Sequence, residues 1–139
     1  MPIIREFIQK DKEQLFHLWD TLDLGGKERG DDIVVINNTI EKGGKLFVMI
    51  FEEELIGSAW VTDDGRRLFL HHMGIHKNFQ GKGYSKMLMD EVMNFTREKK
   101  MQIKLEVHEM NKIAQKLYAK YGFKPLNNYT VVIKRRLYK

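Results

Sequence analysis

The chain contains no cysteine, which excludes disulfide cross-links and a thiolate nucleophile. No apolar run approaches the length needed to span a membrane, so no membrane partner is expected. The N-terminus lacks a signal-peptide pattern: Arg5, Glu6, Lys10, Asp11 and Lys12 break up its apolar residues. A cytoplasmic protein is the expectation. There is no His-Glu-x-x-His motif, and His71 and His72, adjacent on a strand-like run, would face opposite sides, so no metal is expected. Repeats, low-complexity stretches and linkers are also missing. The 139 residues suit one domain, 1–139, with a sizeable core.

What is present begins with a net charge of +5. It fits a solvated lysine-rich surface, and it also fits a positive field that draws a polyanionic ligand. Lys134-Arg135-Arg136 invites a nucleic-acid reading. Residues 129–138 read as a strand, however, and alternation there splits the cluster between two faces. Nucleic acid is therefore not an expected partner.

Gln80-Gly81-Lys82-Gly83-Tyr84-Ser85 is the most informative stretch. It follows the strand-like run 68–75 and precedes a helical run, 87–99. The first turn of a helix leaves N–H groups unpaired and carries the positive end of the dipole. Glycine lets a phosphate approach that backbone closely. Lys82 is followed by glycine rather than Ser or Thr, so the stretch is not a P-loop. Lys86 occupies the place of the third glycine in a dinucleotide fingerprint, which excludes that motif too. A plain glycine turn before a helix remains the alternative.

Around this stretch the patterning predicts strands over 3–8, 46–51, 55–62, 67–75, 103–108 and 129–137. It predicts helices over 11–22 and 32–42, with Leu15, Leu18, Trp19 and Leu22 inward on the first and Ile33, Ile36 and Ile40 on the second. A third helix is expected to bury Tyr84, Leu88, Val92 and Phe95, and a fourth Ile113, Leu117 and Tyr121 before Gly122. Residues 24–30 read as a flexible loop. The order β-α-α-β-β-β-α-β-α-β predicts an α/β (α+β mixed) fold, a mixed sheet with helices on both faces.

A second segment, from Leu105 to Phe123, reads as strand, cap, helix and glycine stop. Together the two segments resemble the GNAT superfamily of N-acetyltransferases. The family's Q/R-x-x-G-x-G/A turn matches at Gln80 and Gly83 and, imperfectly, at Ser85. Its Asn-x-x-Ala-x-x-x-Tyr…Gly-Phe signature matches at Asn111, Ala114, Tyr118, Gly122 and Phe123. Ser85 stands where glycine or alanine is usual, and Lys77 where many members carry proline; neither change removes a backbone donor.

The resemblance implies the GNAT fold, with the fourth and fifth strands splayed to admit acetyl-CoA as cosubstrate. It implies that the backbone near Met73 and Ile75 pairs with pantetheine. The amides of Gly81, Lys82, Gly83, Tyr84 and Ser85 would cradle the pyrophosphate, with charge from Lys82 and Lys86. Gln80, Asn111 and Ala114 belong to the same cofactor set. A primary amine of pKa ~10 is mostly protonated at neutral pH, so some group must take its proton. Glu106 matches the base position of ribosomal-protein N-terminal acetyltransferases. A structural ion pair is the competing reading of that acid, and His108, His72 or a water are the competing bases. Tyr118 is the implied general acid; periodicity alone makes it a core tyrosine.

The expected activity is acetyl-CoA-dependent N-acetyl transfer to a primary amine, by direct attack in a ternary complex. The acceptor is a small molecule, a peptide N-terminus or a lysine, chosen by residues 23–31 and 127–139. The alternative is a non-catalytic acyl-CoA-binding sensor or interaction module. The assembly is open, with a homodimer among the states that the resemblance implies.

Overall fold

The computed structural model describes residues 1–25 and 30–137. The expected acceptor loops, 23–31 and 127–139, therefore lie partly outside the described residues. The chain forms two compact units, Met1–Glu106 and Val107–Lys139.

The first unit is built on a five-stranded sheet in sequence order. Its strands are β1 (Ile3–Glu6), β2 (Lys45–Phe51), β3 (Glu54–Asp63), β4 (Arg67–Ile75) and β5 (Gln102–Leu105). The first three pairings are antiparallel; β4 and β5 are parallel. Glu52 and Glu53 make the β2–β3 turn at φ 48° and 69°, the left-handed pair that matches strand twist. A parallel pair needs a long crossover, and α3 (Tyr84–Lys99) supplies it.

Helices cover both faces. From α1 (Lys12–Thr21) come Leu15, Leu18 and Trp19, and from α2 (Ile33–Glu41) comes Ile36. They pack with Leu46, Val48 and Trp60 in one buried cluster. Asp32 starts α2 by accepting from the Val35 amide at 2.9 Å. Phe47 lies between Leu46 and Val48 in β2, so it points to the other face, where its ring meets Phe95 of α3 edge-on at 6.3 Å. That helix buries Leu88, Met89, Val92 and Phe95. Tyr84, expected in this core, is only half-buried, and Met89 is buried where periodicity overlooked it.

The second unit centres on α4 (Lys112–Lys120). Asn111 caps it, accepting from the Ala114 amide at 3.1 Å. Gly122 at φ +90° ends it, and the Phe123 amide returns to the Tyr118 carbonyl at 3.1 Å. Three expectations need correction. The fifth strand stops at Leu105 instead of running to 108. Tyr118, rather than Ile113, is the buried residue of α4, with Ile113 85% exposed. Residues 129–137 form no strand, because alternation marks a chain able to extend but supplies no ladder partner. Among the described residues no helix is long and apolar enough to cross a membrane.

On β4, His71 stacks on Phe69 with ring centroids 4.4 Å apart, and its Nε2 lies 2.9 Å from Thr62 Oγ1. Burial, helped by neighbouring His72 and opposed by Asp31, pushes its pKa from 6.5 down to about 4. Between those values the unfolded chain binds more protons than the folded one, so stability rises with pH. The urea midpoint is therefore expected to be full above pH 6.5 and to fall as pH drops towards about 4. In His71→Gln, which keeps a polar contact but cannot titrate, that decline should shrink. An unchanged decline in the variant would assign the pH dependence elsewhere.

Candidate active site

The site begins with an irregularity in β4. Ser58 lies opposite Gly74, and Trp60 opposite His71, so Ala59 faces both His72 and Met73. This is a β-bulge, and His72 holds it at φ +46°. A non-glycine residue in that region costs about 1–3 kcal/mol, which the surroundings must offset. The buried Ser58 hydroxyl donates to the His72 carbonyl at 2.8 Å and accepts from Trp19 Nε1 at 2.9 Å. Thus the carbonyl displaced from the ladder keeps a partner.

Just before the bulge the sheet opens on the β5 side. Pairing between β4 and β5 ends at Leu70 opposite Leu105, while β4 runs on to Ile75. Among the described residues no strand continues the β5 side. Met73 is half-buried on this stretch, and the Ile75 side chain is buried. A Cβ on Gly74 would lie 2.8 Å from Leu22 Cδ1, so glycine admits the end of α1 against the strand.

The chain then turns into α3. Gln80 donates through Nε2 to the Ile75 carbonyl at 2.8 Å, tying the end of β4 to the turn. Gly81 and Gly83 adopt φ +80° and +83°, and a Cβ on either would meet nothing within 4 Å. Gly83 is the N-cap of α3 and has no side chain to cap it. The first-turn amides, beginning with Tyr84 and Ser85, therefore lack the usual side-chain acceptor beside open space. Lys82 and Lys86 are exposed nearby in sequence. Open space, uncapped amides and positive charge together fit an anion such as a pyrophosphate.

The remaining expected residues lie at or beyond the end of this unit. Glu106 follows β5 directly and is exposed, not mid-strand as the pattern predicted. In the second unit, Asn111 and Ala114 make the helix cap, and His108 Nδ1 accepts from the Met110 amide at 3.1 Å. Tyr118 packs its ring against Phe123 at 5.8 Å. Burial pushes its phenol up to about 12, so it stays protonated through the neutral range.

Sequence reading missed the partner of His72. Its Nε2 lies 2.8 Å from Asp31 Oδ2, and both side chains are largely buried, 14% and 13% exposed. The two residues are 41 positions apart, and no local pattern links them. Beside them lies a cavity of about 270 Å³, walled by Phe16 and Trp19 and by Asp20, Asp23, Asp31 and Asp32.

Residues 12–123 match the model of the acetyltransferase (GNAT) family. Among solved structures, an acetyltransferase from Streptococcus agalactiae 2603 aligns with TM-score 0.79 and 21% identity, over 96% of this chain and 90% of that one. AAC(6')-Iy, in complex with the bisubstrate analog CoA-S-monomethyl-acetylneamine, aligns with TM-score 0.75 and 17% identity, over 98% of each chain. A predicted acetyltransferase with acetyl-CoA, from Clostridium acetobutylicum, aligns with TM-score 0.75 and 16% identity, over 96% of each. At these identities the likeness concerns the fold: the mixed sheet whose fourth and fifth strands part.

Proposed function

Since the chain belongs to the acetyltransferase (GNAT) family, we propose that it transfers an acetyl group from acetyl-CoA to a primary amine. The observation that carries this reading is the glycine-built, uncapped start of α3, set directly after the open stretch of β4. Acetyl-CoA supplies the activated acyl group. The amides from Gly81 to Ser85 would hold its pyrophosphate, with charge from Lys82 and Lys86. Met73 and Ile75, on the open stretch of β4, would hold its pantetheine arm. Gln80 keeps the junction between them fixed. Asn111 and Ala114 enter this set through the family motif, and the whole chain, 1–139, acts as one catalytic domain in this reading.

Two proton transfers remain for the protein. Tyr118, in the motif's tyrosine position and protonated at neutral pH, gives its hydroxyl proton to the departing sulfur. Glu106 and His72 compete to take the proton of the amine. The acceptor is a small molecule or a peptide amine, attacked directly while both substrates are bound. A sensor that binds acyl-CoA without turnover is the rival, and it shares every feature of the turn.

Two measurements test this. Gly83→Val adds a branched side chain where φ is +83° and the space is open. Calorimetry should show acetyl-CoA binding weakened at least tenfold, about 1.4 kcal/mol, with circular dichroism near wild type. Unchanged affinity in the folded variant would remove the turn from the site. Tyr118→Phe keeps the ring and deletes one hydroxyl. Its kcat should fall at least about tenfold while acetyl-CoA affinity moves little, because the lost interaction grows only in the transition state. The sensor predicts no turnover by either protein with any amine.

A further inference from the structure

His72 stands out among the titratable groups of the first unit. It occupies the strained position of the bulge, and its ring meets Trp19 edge-on at 4.6 Å and Trp60 at a tilt at 5.6 Å. A Cβ on Gly25 would come within 3.6 Å of both His72 Nε2 and Asp31 Oδ2, so backbone also covers the pair. Next along β4 comes Met73, on the open stretch, and beside Asp31 lies the aromatic and acidic cavity.

An ionised carboxylate only accepts hydrogen bonds, so the contact with Asp31 requires the proton on Nε2. In the neutral ring Nδ1 then carries the lone pair. The neighbouring His71 differs on every count: it bonds the Thr62 hydroxyl, stacks on Phe69 and is held neutral with a pKa of about 4. Glu106 has the reactive type but lies exposed after β5. Of the candidate bases, only His72 combines shelter, an oriented ring and a carboxylate to support its charge.

We propose that the Asp31–His72 pair is the proton acceptor of the acetyl transfer, His72 being the base and Asp31 its positioning residue. The proposal rests on the acetyltransferase reading given above. In the step, an N–H bond of the acceptor's ammonium breaks and an Nδ1–H bond forms, directly or through one water. The electron pair stays on the amine nitrogen, which becomes a nucleophile. His72 becomes an imidazolium facing the Asp31 carboxylate, and its proton later passes to solvent. Among the described residues, Asp20, Asp23 and Asp32 around the cavity, and His71 on the same strand, are titratable groups set about the pair. The three aspartates favour the arriving ammonium as well as the imidazolium.

The test uses the full-length protein with acetyl-CoA and a panel of primary amines. His72→Gln should lower kcat/KM at least about 100-fold and remove the acidic limb of its pH profile, with acetyl-CoA affinity unchanged. Asp31→Asn keeps the shape of the pair but not its charge. It should lower kcat/KM at least about tenfold with acetyl-CoA affinity unchanged, since the imidazolium loses its support. NMR of the ring nitrogens, without substrate, should show the Nε2–H form in wild type, with the Nδ1–H form appearing in Asp31→Ala. A folded His72→Gln with an intact acidic limb would overturn the assignment, as would a His72 tautomer indifferent to Asp31→Ala. A wild type that binds acetyl-CoA but acetylates no amine would overturn the acetyltransferase reading, and the base with it.

Discussion

A single misfit in β4 governs the site. His72 and Met73 together face Ala59, and the ladder loses its regular pairing there. Left alone, the bulge would expose a carbonyl to a dry interior and keep a bulky residue at positive φ. A relay from the Trp19 indole through the Ser58 hydroxyl to the His72 carbonyl removes the first cost. The packing of the His72 ring against the stacked pair Trp19 and Trp60 offsets the second. Bulged strands bend and twist more. Here β4 runs alongside β5 only up to Leu70, short of the bulge, and continues alone from there.

The glycine turn of the candidate site lies downstream of that parting. The open stretch leads through Gln80 into a turn where two glycines hold left-handed backbone, and the turn delivers the bare start of a 16-residue helix. Each part needs the one before it. A longer β5 would pair with the rest of β4, and a side-chain cap would take up the first amides of the helix. The same bulge sets His72 in place to reach Asp31.

Much of this was legible in the sequence. The run 67–75 matched β4 to the residue, and the glycine turn and the start of α3 follow from Gly81, Gly83 and the periodicity after them. Local chemistry decides those features: left-handed glycines, caps and a period of helix or strand. The misses depend on partners. Residues 129–137 have strand composition, but composition cannot supply a neighbouring edge. On α4 the stripe Ile113, Leu117, Tyr121 and the observed burial of Tyr118 differ by one position, within the tolerance of a short amphipathic helix. The bulge left no mark either, because its holding residues, Trp19 and Ser58, come from α1 and β3. Asp31 was invisible as a partner for the same reason: a contact 41 residues away is made by the fold alone.

An unpaired strand edge is a standing invitation to other chains, and proteins that keep one must discourage association along it. Among the described residues of the first unit, the stretch of β4 beyond Leu70 is such an edge, yet it makes a poor template. A foreign strand adding there would meet a break in register at His72 and Met73. At the far end it would find the Ile75 carbonyl already taken by Gln80. Between these points only a few residues could form a ladder, too few for a lasting pair. The irregularity on the open stretch thus guards it against aggregation.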